Sequence, residues 1–143
     1  MKMKKIIVLF FLAFTTSTLI AQDLTQGLWY NEKKSAKVQF YLQGDKMFGK
    51  IVWLKDPLLN GKPKLDKSNP DAALKVKPLL GLVFMKAFTK TEKNIWEEGT
   101  IYDPENGKTY QCKITIVSPT QLDVRGFIGF SIMGRTSHFT KAD

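Results

Sequence analysis

At 143 residues, the chain carries 22 Lys and Arg against 13 Asp and Glu, with a single cysteine and a single histidine. One cysteine forbids an intramolecular disulfide or a cysteine metal cluster, and His138 alone builds no histidine zinc site, so disulfide scaffolds and structural-zinc folds drop out. The basic residues are spread along the chain rather than gathered into a stripe, which argues against nucleic acid as a partner.

The N-terminus has the order of a secretory signal. Lys2, Lys4 and Lys5 precede an apolar run from Ile6 to Phe14, followed by Thr15, Thr16, Ser17 and Thr18 and then Leu19-Ile20-Ala21. The run is nine residues long, against about 20 for a membrane-spanning helix. No stable transmembrane anchor is therefore expected, and no cysteine stands at the cut to carry lipid. The reading is a cleaved signal over residues 1–21 and one domain over 22–143, periplasmic or secreted. The signal holds three of the lysines and none of the acids, which leaves 19 basic against 13 acidic residues and a net charge of +6. Solubility is the plain reading of that charge, and attraction to an anionic envelope surface is the alternative.

From Gly27 onward the apolar residues alternate with period two, the mark of strands with one buried face. Eight runs follow one another: near Leu28–Asn31, Lys37–Gln43, Lys46–Leu54, near Leu82–Thr89, Asn94–Tyr102, Lys108–Val117, Gln121–Ile128 and Arg135–Lys141. In the sixth, Tyr110, Cys112, Ile114 and Ile116 share one face, which predicts a buried thiol. Turn chemistry separates the runs at Gln43-Gly44-Asp45, at Asp103-Pro104-Glu105-Asn106-Gly107 and at Ser118-Pro119-Thr120. Eight sequential antiparallel strands with short connections predict an all-β, up-and-down barrel, with a two-sheet sandwich as the alternative.

One connection is long. The 26 residues from Lys55 to Leu80 contain Pro57, Pro63, Pro70 and Pro78, and such a loop in a compact domain is usually functional or disordered. Asn69-Pro70-Asp71-Ala72-Ala73-Leu74 reads as an N-cap followed by proline at the first helical position. A short helical turn packed across one end of the barrel is the expectation.

Gly27-Leu28-Trp29 opens the first strand and Arg135 lies in the last. Closure makes those strands neighbours, so Arg135 is expected over the Trp29 indole as a cation–π closure of the barrel. Gly-x-Trp with a late arginine resembles the shared feature of lipocalins and other calycins. A closer resemblance rests on Gly49-Lys50-Ile51-Val52-Trp53-Leu54, Asp66 with Asn69-Pro70-Asp71, Leu80-Gly81-Leu82, Ile101-Tyr102-Asp103-Pro104, Gly107-Lys108-Thr109-Tyr110, Val124-Arg125-Gly126 and Gly134-Arg135-Thr136. In order and spacing the chain resembles the exported bacterial family called domain of unknown function 2147, grouped with the calycins. That resemblance implies a fold and an address outside the cytoplasm, not a reaction. Many members carry a cysteine pair where this chain has Gln43 and Phe48, so no bridge is carried over.

No catalytic group, metal site or cofactor emerges from the residues. Glu97 and Glu98 are adjacent in a strand and point to opposite faces, so they cannot work as a paired acid and base. Ser131, Ser137 and His138 form no nucleophile and base arrangement, because alternation separates Ser137 from His138. The five-residue turn at Asp103 is too short for a calcium loop.

Three functions compete. The leading one is binding of a small apolar or amphipathic ligand inside the barrel, by the inward aromatic candidates Phe40, Trp53, Trp96 and Tyr102 with Glu98 and Arg125 as polar anchors. Asp66, Asn69 and Asp71 then shape the loop rim, or else serve as local caps. The second is an envelope interaction protein with a filled barrel and a basic surface, and the third an enzyme with an unrecognised site near Glu98, Arg125 and the loop carboxylates. Interior volume discriminates among them.

Overall fold

The structure, a computed structural model, describes residues 23–130 and 133–143. The signal-like segment and Ser131 lie outside the described residues. Ten strands are present among those described: Trp29–Tyr30 (β1), Ala36–Gln43 (β2), Lys46–Leu54 (β3), Leu58–Leu59 (β4), Lys62–Pro63 (β5), Val83–Glu92 (β6), Ile95–Asp103 (β7), Lys108–Ser118 (β8), Gln121–Phe127 (β9) and Gly134–Lys141 (β10).

Eight of them close into one antiparallel barrel in the order β1-β10-β9-β8-β7-β6-β3-β2. The alternation that marks the strands in sequence is the alternation of burial in the fold. Ala36, Val38 and Phe40 of β2, Cys112, Ile114 and Ile116 of β8, and Leu122 and Val124 of β9 all face inward and are buried. Closure leaves no barrel strand with an unpaired edge.

Connectivity gives the barrel two unlike ends. The tight turns β2–β3, β6–β7 and β8–β9 lie at one end, which is the floor. The connections β1–β2, β7–β8 and β9–β10 lie at the other, which is the mouth, together with the long segment between β3 and β6. The floor is filled: Leu24, Trp29, Phe40, Met47, Met85, Phe88, Ile114 and Leu122 are all buried to 2% exposure or less. Trp29 donates its indole N–H to the Leu24 carbonyl at 3.2 Å, which pins the chain entering β1 beneath the barrel.

Bulges change which residues face in. Lys37 pairs with Trp53 while Val38 pairs with Ile51, so β3 holds one extra residue at Val52. Past that bulge Leu54 takes the inward position opposite Ala36 and Trp53 turns outward. In β7, Trp96 pairs with Ile114 but Gly99 with Cys112, an insertion at Glu97-Glu98. Glu98 there has φ of 63° and Ala87 on the neighbouring β6 has φ of 60°, left-handed backbone at two residues that rarely adopt it.

The segment from Lys55 to Leu82 is ordered by backbone hydrogen bonds rather than by a helix. Asn60 and Gly61, both at positive φ, make the two-residue turn of a β4–β5 hairpin. Leu65 bridges Pro78, and Asp66 N–H donates to the Lys77 carbonyl at 2.9 Å. The short helical turn expected at Asn69–Leu74 is a single hydrogen-bonded turn: the Leu74 and Lys75 amides both donate to the Asp71 carbonyl. Pro78 and the Leu65 bridge leave no length for a second turn. The segment also forms one side of the mouth, reaching the β7–β8 turn, where Ser68 Oγ donates to the Glu105 carbonyl at 3.3 Å.

Candidate functional site

Above the filled floor, the barrel is hollow. A cavity of about 1200 Å³ opens at the mouth, at or above the usual range of about 300–1,000 Å³ for small-molecule sites. Its wall is built by inward positions of the strands: Ala36 from β2, Ile51 from β3, Phe84 from β6, Ile101 from β7 and Val124 from β9, with Val38 of β2 and Phe139 of β10 deeper, beside Trp29 and Leu122 of the floor. Gly126 adds room, because it carries no side chain on the inward face it shares with its partner Cys112. The body of the cavity is thus aliphatic and aromatic, and the charged groups stand at its rim.

That rim carries both signs. Arg135 meets Glu32 at 3.1 Å and Lys33 meets Glu105 at 3.5 Å. Glu32 also accepts from the His138 amide at 3.4 Å. The β1–β2 loop holding Lys33 and the β7–β8 turn holding Glu105 stand diametrically opposite in the strand order, so their ion pair spans the mouth. Both side chains are well exposed.

A buried polar cluster anchors the long segment beside the cavity. Asp66, 1% exposed, accepts from the Tyr102 hydroxyl at 2.7 Å and from Asn69 Nδ2 at 2.8 Å. Loss of solvent first, and the Asp66 carboxylate second, push the Tyr102 phenol up to about 12. Asn69 Oδ1 accepts from the Asp71 amide at 2.9 Å, and Asp71 Oδ1 from the Ala73 amide at 2.9 Å. Asn69 and Asp71 are therefore local caps, and Asp66 is a buried tether rather than a rim residue. Gly107 allows the segment its close approach, since a Cβ there would stand 2.0 Å from the Ser68 carbonyl oxygen.

The six residues expected to hold a ligand are dispersed. Tyr102 borders the cavity. Phe40 packs in the floor against Gly49, and Trp96, opposite Ile114, packs against the core at the floor end, with Lys90 Nζ 5.8 Å from its ring. Trp53 lies on the outer wall, edge-on to Tyr30 at 6.1 Å, with Lys37 Nζ 5.0 Å from the Tyr30 ring and 5.1 Å from the Trp53 ring. Glu98 is exposed on its bulge, and Glu97 is held outside by Thr91 and by Lys113 at 3.3 Å. Arg125 alternates outward from Val124 and donates to Thr136 Oγ1 at 3.1 Å. Neither expected polar anchor, Glu98 or Arg125, therefore reaches the interior.

The expected closure contact is also corrected. Trp29 pairs with Lys141 in the register, and Lys141 Nζ stands 4.5 Å from its ring centroid. Because β10 runs from mouth to floor, Arg135 at its start is at the opposite end from Trp29 and can only join the rim. Cys112 is buried at 1% exposure, and burial pushes its thiol up to about 12. His138 Nδ1 lies 2.7 Å from Asp123 Oδ1 on the outer face, while Ser137 borders the cavity. Among the described residues, no group of three or more His, Cys, Asp and Glu side chains is placed to hold a metal ion.

A closed eight-strand antiparallel barrel with a packed floor and an open apolar cavity defines a lipocalin-like protein. Residues 27–141 match the family model described as "uncharacterized protein conserved in bacteria (DUF2147)", and the chain belongs to that family. Among solved structures it is similar to protein HP1028 from the human pathogen Helicobacter pylori, described as belonging to the lipocalin family. That likeness has a TM-score of 0.75 and 25% identity, and covers 85% of this chain and 84% of that one. A redesigned β-barrel matches at a TM-score of 0.44 and 16% identity, over 86% of this chain and 95% of that one. No curated protein matches the sequence.

Proposed function

We propose that this protein binds a small apolar or amphipathic molecule in the barrel, in a compartment outside the cytoplasm. One observation carries the binding reading: the floor half of the barrel is solidly packed, whereas at the mouth a cavity of about 1200 Å³ opens to solvent, apolar in its depth and charged at its rim. An apolar ligand body gains roughly 25 cal/mol for each Å² it removes from water. The rim, with its compensated pairs Lys33–Glu105 and Arg135–Glu32, offers hydrogen bonds to a polar head without selecting strongly for one charge. The likeness to a protein described as a lipocalin and the signal-like order of residues 1–21 support the reading and the address.

The test uses protein purified from the periplasm of an expressing bacterium. Native mass spectrometry should show a co-purifying small mass, and an environment-sensitive apolar dye should bind with one-to-one stoichiometry and be displaced by extracted lipid. Gly126→Leu, whose side chain enters the cavity, should weaken dye binding at least tenfold while the fold is retained. A wild-type barrel that takes up neither dye nor cargo overturns the binding reading. Retention of the uncleaved N-terminus in the cytoplasm overturns the address.

A further inference from the structure

Exposed apolar surface is concentrated at one end of this molecule. On the β9–β10 connection, Ile128, Phe130 and Met133 are 68%, 80% and 72% exposed. The long segment adds Leu58, Leu59 and Val76, all likewise exposed, at the same end. At the floor, the counterparts are Leu42 and Val117, one at each of two strand ends. Large side chains in water at this density mark a surface that something covers.

The charge around this end is not neutral. Lys55, Lys62, Lys67, Lys75 and Lys77 of the long segment are exposed. Of the acids in the same segment, Asp66 is buried and bonded to Tyr102 and Asn69, which leaves Asp56 and Asp71. Apolar tips and exposed lysines on opposite sides of one end are the pattern of a surface that lies on a membrane: the apolar residues enter the boundary of headgroups and acyl chains, and the lysines meet the phosphates. An acidic protein would match the lysines but leave Phe130 in water, and a second copy of this chain would set like charges against each other.

The apolar loop is continuous with the cavity. Ile128 and Met133 border the cavity as well as facing outward, and the Ile128 amide donates to the Met133 carbonyl at 3.4 Å across the base of the loop. A surface that covers the loop therefore faces the opening.

We infer that the barrel docks mouth-first on an anionic lipid bilayer, with Phe130, Ile128 and Met133 inserted and the lysines of the long segment over the headgroups. The cavity then opens onto the lipid, so an apolar molecule passes between bilayer and barrel without crossing water. Docking itself stands apart from the cavity reading; only its use for transfer rests on it.

Vesicle co-sedimentation of the mature chain tests this, with phosphatidylcholine vesicles compared against vesicles containing phosphatidylglycerol. Binding is expected to the phosphatidylglycerol vesicles at low salt and to fall steeply as salt screens the lysines. Phe130→Ser should weaken it roughly tenfold or more, and Lys62→Gln, Lys75→Gln and Lys77→Gln roughly fivefold each. Because these side chains are exposed, the melting temperature should not move. Absence of binding to anionic vesicles at low salt overturns the proposal whatever the cavity holds. Binding that survives both Phe130→Ser and the combined lysine variant overturns the mouth as the docking face. A dimer in sedimentation velocity that is lost with Phe130→Ser, without vesicle binding, assigns the patch to a second copy instead. Vesicle binding with an empty barrel leaves docking intact and overturns only cargo transfer.

Discussion

The floor and the mouth of this barrel are built by the same strands, yet one half is solid and the other hollow. At the floor, Trp29, Phe40, Met47 and Phe88 fill the section with large side chains. At the mouth, Ala36, Val38, Ile51 and Gly126 stand beside Phe84 and Ile101, and a cavity opens between them. The wall of the mouth and the packing of the floor are nonetheless one continuous hydrophobic core, so the cavity is an opening in that core and not a separate layer.

The sharpest way to break that comparison uses one glycine from each half. Gly99, Cys112 and Gly126 lie in one cross-strand row over β7, β8 and β9. A Cβ on Gly99 would stand 2.5 Å from the Phe88 ring, which is fully buried and has nowhere to move. A Cβ on Gly126 would meet its nearest neighbour, Ile101 Cγ2, at 3.5 Å. Gly99→Ala should therefore cost about 3 kcal/mol by overpacking, a drop of roughly 10 °C in melting temperature. Gly126→Ala should be neutral or stabilise by about 0.5 kcal/mol, since alanine loses less backbone entropy. Equal losses at the two positions would mean that the mouth half is packed like the floor.

The fold was legible in the sequence because burial follows the alternation of strands such as β8 and β9. What escaped was every feature that depends on register. Trp53 reads as inward until the extra residue at Val52 turns it out, and no residue type there announces the bulge. Glu98 and Ala87 take positive φ without being glycine, so their bulges leave no trace in composition. Arg135 is expected over Trp29 from the sequence, but in an antiparallel closure the start of β1 meets the end of β10, which is Lys141. The hairpin inside the long segment is a different case: Asn60-Gly61 between Leu58-Leu59 and Lys62-Pro63 is a recognisable two-residue turn signal. Asp66 was legible as a polar residue of interest, but its link to Tyr102 spans 36 residues and belongs to tertiary structure.

A second prediction concerns the frame around the mouth. Tyr102→Phe removes one of the donors to buried Asp66 and should cost about 2 kcal/mol, the penalty for under-satisfying a buried polar group. Hydrogen exchange should quicken at Asp66, Asn69 and Leu79 while floor strands keep their protection, whereas uniform loss would merge the two halves into one cooperative unit. The pH dependence follows from the same phenol. Its folded value, raised from 10.0 to about 12, means that its stabilising contribution is whole below pH 10 and is lost as pH rises through about 12. Ultraviolet titration should show one of the four tyrosines ionising late, and Tyr102→Phe should abolish that late phase.

The smallest expected effect is at the rim. Lys33 and Glu105 connect opposite sides of the mouth at 3.5 Å, but both side chains are largely in water, so their pair contributes only about 0–1 kcal/mol. Lys33→Gln should leave the melting temperature unchanged within error. The pair nonetheless joins the β1–β2 loop to the β7–β8 turn across the opening, in the path of an entering ligand. Dye uptake measured by stopped flow should therefore become faster in Lys33→Gln, and in wild type at high salt, with little change in the equilibrium constant. An altered equilibrium with an unaltered rate would place Lys33 against the ligand rather than across its path. The rim would then belong to the binding half of the molecule and not to its gate.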